Sequence, residues 1–160
     1  MSLVTKKFVS NKGITLVQWL VFAGVLALVI LIAVWAASVS RAKSRDAIRM
    51  ADIKQIQSGL ELFYNNNKAY STAPAEGLLL GTTSTNCLDE TGFKSGCSGT
   101  VYLGYIPAAP EPADKKCSAA DNLYRYYSPD GSNYVITFCL GRQFGSISPG
   151  LKQATFGSIQ

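Results

Sequence analysis

Histidine is absent from the sequence, and so are the short motifs that most often mark a catalytic site. There is no GxSxG nucleophile turn, no glycine-rich phosphate-binding loop and no CxxC pair. The adjacent carboxylates of Asp89 and Glu90 fall in a predicted loop, where solvated side chains are the ordinary outcome. These absences predict that the chain is not an enzyme.

Arrangements of residues that bind metal ions are missing as well. The cysteines are Cys87, Cys97, Cys117 and Cys139. None of their spacings supplies the close pair of ligands that a structural zinc site uses. Asp114, Asp121 and Asp130 offer oxygen ligands, but they lack the regular spacing of a calcium-binding loop. We therefore expect no metal and no cofactor, with calcium as the alternative.

Charge is absent from one long stretch, residues 14–40, which is rich in Leu, Val, Ile and Ala. At about 1.5 Å per residue, a helix of this length reaches roughly 40 Å, which exceeds the bilayer hydrocarbon core of about 30 Å. Residues 14–64 contain no proline, so no proline kink is expected. Residues 14–40 are therefore predicted to form a membrane-spanning helix.

The net charge of +5 is concentrated around that stretch. Residues 1–54 carry eight basic and two acidic side chains, whereas residues 65–160 carry seven of each. Basic residues beside a membrane segment are attracted to anionic lipid headgroups. The neutral downstream part offers no basic face to DNA or RNA, so strong nucleic-acid binding is not expected.

All four cysteines follow the apolar stretch, in a part of the chain small enough to need reinforcement. This arrangement is typical of two disulfides formed in an oxidising compartment. Four cysteines allow three connectivities. We favour Cys87–Cys97 with Cys117–Cys139, because each closes a modest loop worth about 3 kcal/mol. Positive residues flank the apolar stretch on both sides, so the disulfides decide the orientation and place the downstream part outside.

Residues 41–66 are predicted to continue the helix in amphipathic form. A single glycine, Gly59, costs about 1 kcal/mol relative to alanine but does not break the helix. An apolar stripe recurs at steps of three and four residues and comprises Ala47, Met50, Ile53, Ile56, Leu60, Phe63 and Tyr64. Asparagines at 65–67 favour a helix end there, since asparagine tolerates the left-handed conformation.

Residues 67–160 have the composition of a small globular head. Its first part, 68–100, is rich in Ser, Thr and Gly and is predicted to be mostly loop. The tail from Gly141 onward is again rich in glycine and serine, and we expect it to wrap the surface or to be partly mobile.

Two strands are predicted in the head, at 124–127 and 133–140, joined by a turn in which Gly131 is available for positive φ. The residues of the second strand expected to face the helix stripe are Tyr134, Ile136 and Phe138. The predicted fold class is therefore α+β, with a long N-terminal helix packed on a small antiparallel sheet that is reinforced by two disulfides.

The residues Lys-Gly-Ile-Thr-Leu-Val at 12–17, with the apolar and then amphipathic helix and the small head, resemble the type IV pilin and type II secretion pseudopilin family. The segment 44–71 looks like the helix of GspG-like pseudopilins, and the Phe-Cys-Leu-Gly strand end at 138–141 looks like their head. The resemblance implies a pilin fold and a structural role as a subunit of a filament.

The resemblance also implies that a prepilin peptidase removes a leader, residues 1–13, by cutting between Gly13 and Ile14, and that Ile14 is then N-methylated. Glycine before the bond lets another backbone approach closely. The cut removes three lysines and leaves the apolar helix as an anchor. The implied partners are other pilin subunits, an assembly platform with its ATPase, and the membrane. The implied location is the cytoplasmic membrane, followed by an extracellular or periplasmic filament.

One residue departs from the family pattern. The fifth residue after the implied cut is usually glutamate, whose carboxylate offsets the charged amino terminus of an adjacent subunit, and here it is Gln18. An unpaired charge in apolar surroundings is expensive. Gln18 accepts a hydrogen bond but does not neutralise the charge. Gln18, which the resemblance implies has a role in assembly, therefore indicates either a minor or tip subunit or a lineage that tolerates glutamine.

Two other functions stay open at this point. The first is a single-pass, membrane-anchored extracellular binding protein that keeps residues 1–13. The second is a DNA-uptake pilin, against which the neutral head argues, because affinity for nucleic acid comes largely from basic side chains.

Overall fold

The computed structural model describes residues 15–114 and 116–160. Gly13 and Ile14, where the resemblance implies cleavage and methylation, lie outside the described residues. The described chain begins with one long helix and continues with short strands. It divides between Val39 and Ser40 into two compact units.

The first unit contains the beginning of helix α1, which spans Leu16–Asn67 in full. Every side chain of the helix up to residue 38 is exposed, and nearly all of these side chains are apolar. None of the most apolar window of the helix is buried. The structure thus confirms a helix that is long and apolar enough to span a membrane.

The second unit combines the rest of α1 with the strands. Their bounds are β1 (Leu78–Leu79), β2 (Cys87–Asp89), β3 (Gly92–Lys94), β4 (Val101–Leu103), β5 (Arg125–Tyr127), β6 (Val135–Leu140), β7 (Gly150–Thr155) and β8 (Ser158–Ile159). One antiparallel sheet has the order β1-β5-β6-β7-β8, and the other has the order β3-β2-β4. The predicted α+β arrangement of a helix with antiparallel sheets is present.

The hairpin predicted from the sequence is formed by β5 and β6. Tyr126 lies opposite Ile136 in the register of the two strands. Gly131, in the turn between them, has a φ of 73°, the left-handed conformation for which a glycine was expected. At the end of the helix, α1 stops within the predicted asparagine run, and Lys68 follows with a φ of 61°.

Two regions hold more strand than the sequence analysis predicts. The expected loop at 68–100 contains β1, β2 and β3, and the expected surface tail contains β7 and β8. β7 pairs with β6 over five residues, yet Ala154 is its only fully buried side chain. Because β7 owes its order to pairing with a neighbour rather than to an alternating pattern of its own, its sequence gave little sign of it.

The helix and the larger sheet share one hydrophobic core. Ile53, Ile56 and Leu60 of the helix are completely buried, as are Ile136 and Phe138 of β6. Each such side chain contributes about 1.5–3 kcal/mol on burial. The predicted packing of the helix stripe against the inner face of β6 is therefore confirmed.

The stripe itself differs from the prediction at its ends, because Ala47 and Tyr64 are exposed. The buried helix positions that the prediction missed are Ala42, Asp46, Arg49, Asp52 and Gly59. At Gly59, an added Cβ would lie 3.1 Å from Cβ of Leu103, which is closer than an ordinary contact. The glycine therefore lets β4 approach the helix, which explains why the helix tolerates it.

Candidate functional site

Helix α1 begins with a reciprocal pair of hydrogen bonds between Thr15 and Gln18. The backbone N–H of Thr15 donates to Oε1 of Gln18 at 2.9 Å, and the backbone N–H of Gln18 donates to Oγ1 of Thr15 at 3.4 Å. This is a capping box, which satisfies two backbone donors that a helix start leaves free. Within this chain, Gln18 thus stabilises its own helix, and the assembly role assigned to it stays a prediction.

The most heavily bonded polar group of the second unit is Arg49, whose side chain is completely buried. Its Nη1 donates to Asp46 at 2.8 Å and to Asp114 at 2.9 Å. Its Nη2 donates to Oδ1 of Asn122 at 2.7 Å and to the carbonyl of Pro110 at 3.1 Å. One guanidinium therefore joins the helix to the segment 110–122.

A second arginine completes this cluster, which we call the arginine node (Arg45, Asp46, Arg49, Asp114). Arg45 donates to both carboxylate oxygens of Asp114, at 3.1 and 2.5 Å. Two positive and two negative charges balance, which a buried ionic group requires. Burial alone would raise the pKa of Asp114, but hydrogen bonds from Arg45 and Arg49 outweigh it and hold that pKa below its usual range.

Asp46 ties the node to a further part of the chain. Its carboxylate accepts the backbone N–H of Gly141 at 2.9 Å and that of Arg142 at 3.0 Å, just after β6 ends. The disulfide Cys117–Cys139 is close to these contacts in sequence. Cys117 follows Asp114 by three residues, and Cys139 precedes Gly141 by two residues. The node and the disulfide together hold the segments around 114 and 141 against the first turns of the second unit.

The arginine node was not predicted, although the sequence contains a signal for part of it. Buried helix residues run at steps of four and three through Ala42, Asp46, Arg49, Ile53, Ile56, Leu60 and Phe63. Asp46 and Arg49 thus lie in phase with the apolar stripe, where unpaired charges would be costly. A charged pair in phase with such a stripe predicts a buried ion pair, but its remote partner Asp114 has no local signal.

The cysteines pair as the loop-length argument favoured. Cys87 and Cys97 have Cα atoms 5.9 Å apart, and Cys117 and Cys139 have Cα atoms 5.8 Å apart. These separations are ordinary for disulfides. Cys139 is fully buried although it alternates with the helix-facing residues of β6.

The loop closed by Cys87–Cys97 is organised by Asp89, which is itself completely buried. Its carboxylate accepts hydrogen bonds from the backbone N–H and hydroxyl of Thr91 and from the backbone N–H of Ser98. The bonds from Thr91 are the main cause of a pKa lowered to about 2. Asp89 is therefore a structural carboxylate, and the solvated role predicted for it is wrong.

A second carboxylate on the helix has the opposite behaviour. Asp52 is 8% exposed and accepts a hydrogen bond from the hydroxyl of Tyr124 at 2.8 Å. Burial raises its pKa above the usual range, although the bond from Tyr124 opposes that rise. No arginine or lysine forms a salt bridge with Asp52 within the described residues.

The three aspartates considered for calcium do not converge on one site. Asp114 belongs to the arginine node, Asp121 accepts from the hydroxyl of Ser118 at 2.6 Å, and Asp130 accepts from Ser132 at 2.7 Å. Across residues 15–114 and 116–160, no cluster of three acidic or cysteine side chains is placed to hold a metal ion.

One hollow of the second unit has a volume of about 450 Å³ and is open to solvent. Its lining includes Phe63, Tyr70 and Phe93 and carries no charged side chain. A hollow of about 430 Å³ lies beside Lys54, Glu61 and Phe156. The hydroxyls of Ser58 and Ser158, which line the second hollow, bond to the carbonyl of Lys54 and to the hydroxyl of Thr155.

The chain was compared with family models, with curated proteins and with solved structures, and none of the three comparisons gave a match.

Proposed function

We propose that the chain is a structural subunit of a type IV pilus or type II secretion-like filament, made as a precursor and cut between Gly13 and Ile14. The observation that carries the proposal is a single helix with two different halves. Its first half is apolar and exposed along its whole length, and its second half is built into the core of a disulfide-bonded head. This is the organisation that the resemblance at 12–17 implies.

The two halves of the helix suit a subunit that is first anchored in a membrane and then assembled into a filament. An apolar helix without a buried side chain is stable in lipid, and in a filament it can exchange lipid for neighbouring helices through close packing. The disulfides support a head that faces an oxidising compartment and an amino terminus that faces the cytoplasm. The arginine node supports a head that stays joined to the helix while the helix is pulled.

The test is the intact mass of the chain extracted from membranes of cells that contain a prepilin peptidase. We expect a mass that begins at Ile14 and carries one additional methyl group. Gly13→Val should abolish the cut because a branched side chain hinders approach to the bond. Gly24→Val is the matched control, since an added Cβ at Gly24 meets nothing within 4 Å.

A mass beginning at Met1 or Ser2 in such cells would contradict the proposal. It would favour the alternative of a single-pass anchored protein that keeps its first residues. A correct mass without incorporation into filaments would leave processing in place and contradict the structural role.

Gln18→Glu tests whether residue 18 sets the location of this subunit within the filament. Glutamate preserves the capping box with Thr15, because a carboxylate oxygen accepts the same backbone hydrogen bond. It adds the charge that a neighbouring amino terminus would need. We expect the variant to rise in abundance within filaments, measured by quantitative mass spectrometry of sheared filaments. Unchanged abundance would show that residue 18 does not set the location of the subunit.

A further inference from the structure

The end of the second unit that follows the apolar stretch in sequence exposes positive charge. Arg41 and Lys43 are both exposed on the first turn of that unit. Asp46, the acidic residue nearest to them in sequence, is buried and paired with Arg49, and Asp114 is buried and paired with Arg45 and Arg49. The negative charges of the arginine node are therefore not available to neutralise Arg41 and Lys43.

The loop after β6 brings further positive charge to the same end. Its backbone is bound to Asp46 through the N–H groups of Gly141 and Arg142, which leaves the side chain of Arg142 exposed. Two residues later Phe144 is 37% exposed. The sequence from 131 to 160 contains no acidic residue at all. This loop thus combines a cation, an aromatic ring and no opposing charge.

We propose that Arg41, Lys43, Arg142 and Phe144, which we call the basal surface, bind an anionic phospholipid surface. Arg41 and Lys43 come one and three residues after the apolar stretch, so a membrane that holds the stretch holds them at headgroup depth. Asp46, whose carboxylate binds the loop that contains Arg142, is about 7 Å beyond Arg41 along the helix. Phe144 follows Arg142 by two residues in the same loop, and aromatic side chains suit the boundary between headgroups and acyl chains.

A second copy of the chain is the other occupant to consider. Exposed acidic residues that such a copy could offer include Glu76, Glu90 and Asp130, but their position against the basal surface depends on an assembly. Lipid needs no assembly, because the covalent chain brings Arg41 and Lys43 to the headgroups of every anchored copy. The exposed Glu111 follows Pro110, whose carbonyl accepts a hydrogen bond from Arg49, and Arg49 is about 12 Å beyond Arg41 along the helix.

This inference rests on the membrane-anchored stage of the proposed function, and it does not depend on processing or filament formation. It is therefore tested with the full, unprocessed chain, one copy per lipid nanodisc. Discs of pure phosphatidylcholine are compared with discs that contain about 30% phosphatidylglycerol, at about 0.1 M salt. Hydrogen–deuterium exchange is measured for peptides that cover residues 141–149.

We expect exchange at 141–149 to be at least about threefold slower in the anionic discs and to recover when the salt is raised to about 0.5 M. Substituting serine at all three basic residues should remove the difference, and Phe144→Ser should reduce it. The matched control substitutes serine at Lys54, Lys68 and Lys94, which removes the same charge elsewhere and should leave the difference unchanged.

Equal exchange in the two kinds of disc would overturn the inference, as would a difference that survives the triple substitution at the basal surface. Protection that appears in neutral discs only when each disc holds two copies would also overturn it, and would assign the surface to a second copy. None of these results would bear on cleavage at Gly13, so the failure of this inference is distinguishable from failure of the proposed function.

Discussion

Replacing Arg49 is the substitution that we expect to destabilise the head most through a polar contact. Arg49→Met keeps a long side chain of similar reach but removes the charge and all four hydrogen bonds of the guanidinium. The side chain is completely buried, so water cannot replace the lost donors without opening the structure. The change therefore removes two bonds to carboxylates and two bonds to the neutral acceptors Pro110 and Asn122.

The expected loss in the free energy of unfolding depends on the hydrogen bonds that each acceptor keeps. Removing one partner of a buried ion pair costs about 3–5 kcal/mol in general. Here Asp114 keeps two hydrogen bonds from Arg45, and Asp46 keeps two backbone N–H groups. Since neither carboxylate is left wholly unpaired, we expect the lower end of that range, about 3 kcal/mol. Arg49→Lys keeps the charge but not the planar fork, so about half of that loss is expected.

The free energy of unfolding of the head is measurable by pulse proteolysis in urea on the full chain in detergent micelles. Arg125→Met is the matched control. Arg125 is partly exposed and donates a single 3.3 Å bond to the carbonyl of Glu76, so we expect a loss of at most about 0.5 kcal/mol.

A pH series gives a second readout. The pKa of Asp114 is lowered in the folded state, so its stabilising effect is complete above the unfolded pKa of about 4 and is lost as the pH falls below that value. Arg49→Met should weaken this dependence. If the substitution costs less than about 1 kcal/mol at neutral pH, or leaves the acid dependence unchanged, the stabilising role assigned to the node is wrong.

Asp52→Asn should raise the free energy of unfolding of the head at pH 7, because burial in the folded state raises the pKa of this carboxyl. The gain should vanish below about pH 4, where the carboxyl is protonated in both states, and a pH-independent effect would contradict the assignment. Thr15→Ala should speed amide exchange in the first turn of α1 by about fivefold, equivalent to about 1 kcal/mol of capping, and an unchanged rate would exclude the capping box. Replacing both Cys117 and Cys139 by serine should lower the free energy of unfolding by about 3 kcal/mol in urea titrations, and a loss below about 1 kcal/mol would refute the loop-closure estimate.

Gln18 illustrates how a family resemblance and a structure draw attention to different roles of one side chain. The resemblance draws attention to the missing carboxylate, whereas the hydrogen bonds to Thr15 show that the amide caps its own helix. These roles are compatible, because an amide oxygen has a second lone pair that a neighbouring donor can use. The capping box was readable in the sequence as Thr-x-x-Gln, but only the position of the helix start gives that spacing its meaning.

Much of the fold followed from the sequence because the signals were local. The uncharged stretch at 14–40 determined a helix suited to a membrane, since length and composition are enough for that conclusion. The stripe through Ile53, Ile56 and Leu60 and the hairpin with Gly131 came from periodicity and turn chemistry. The short cysteine loops led to the pairing that is present.

Tertiary structure alone decided the features that join distant parts of the chain. Arg49 reaches Asp114 across 65 residues, and Gly141 reaches Asp46 across 95, so neither partner could be chosen from neighbours in sequence. β7 is a strand because β6 supplies its hydrogen bonds. Local patterns report which segments can be helical, extended or apolar. Which buried charge meets which partner depends on how those segments pack, because the energy of an ion pair exists only once the fold has removed both groups from water.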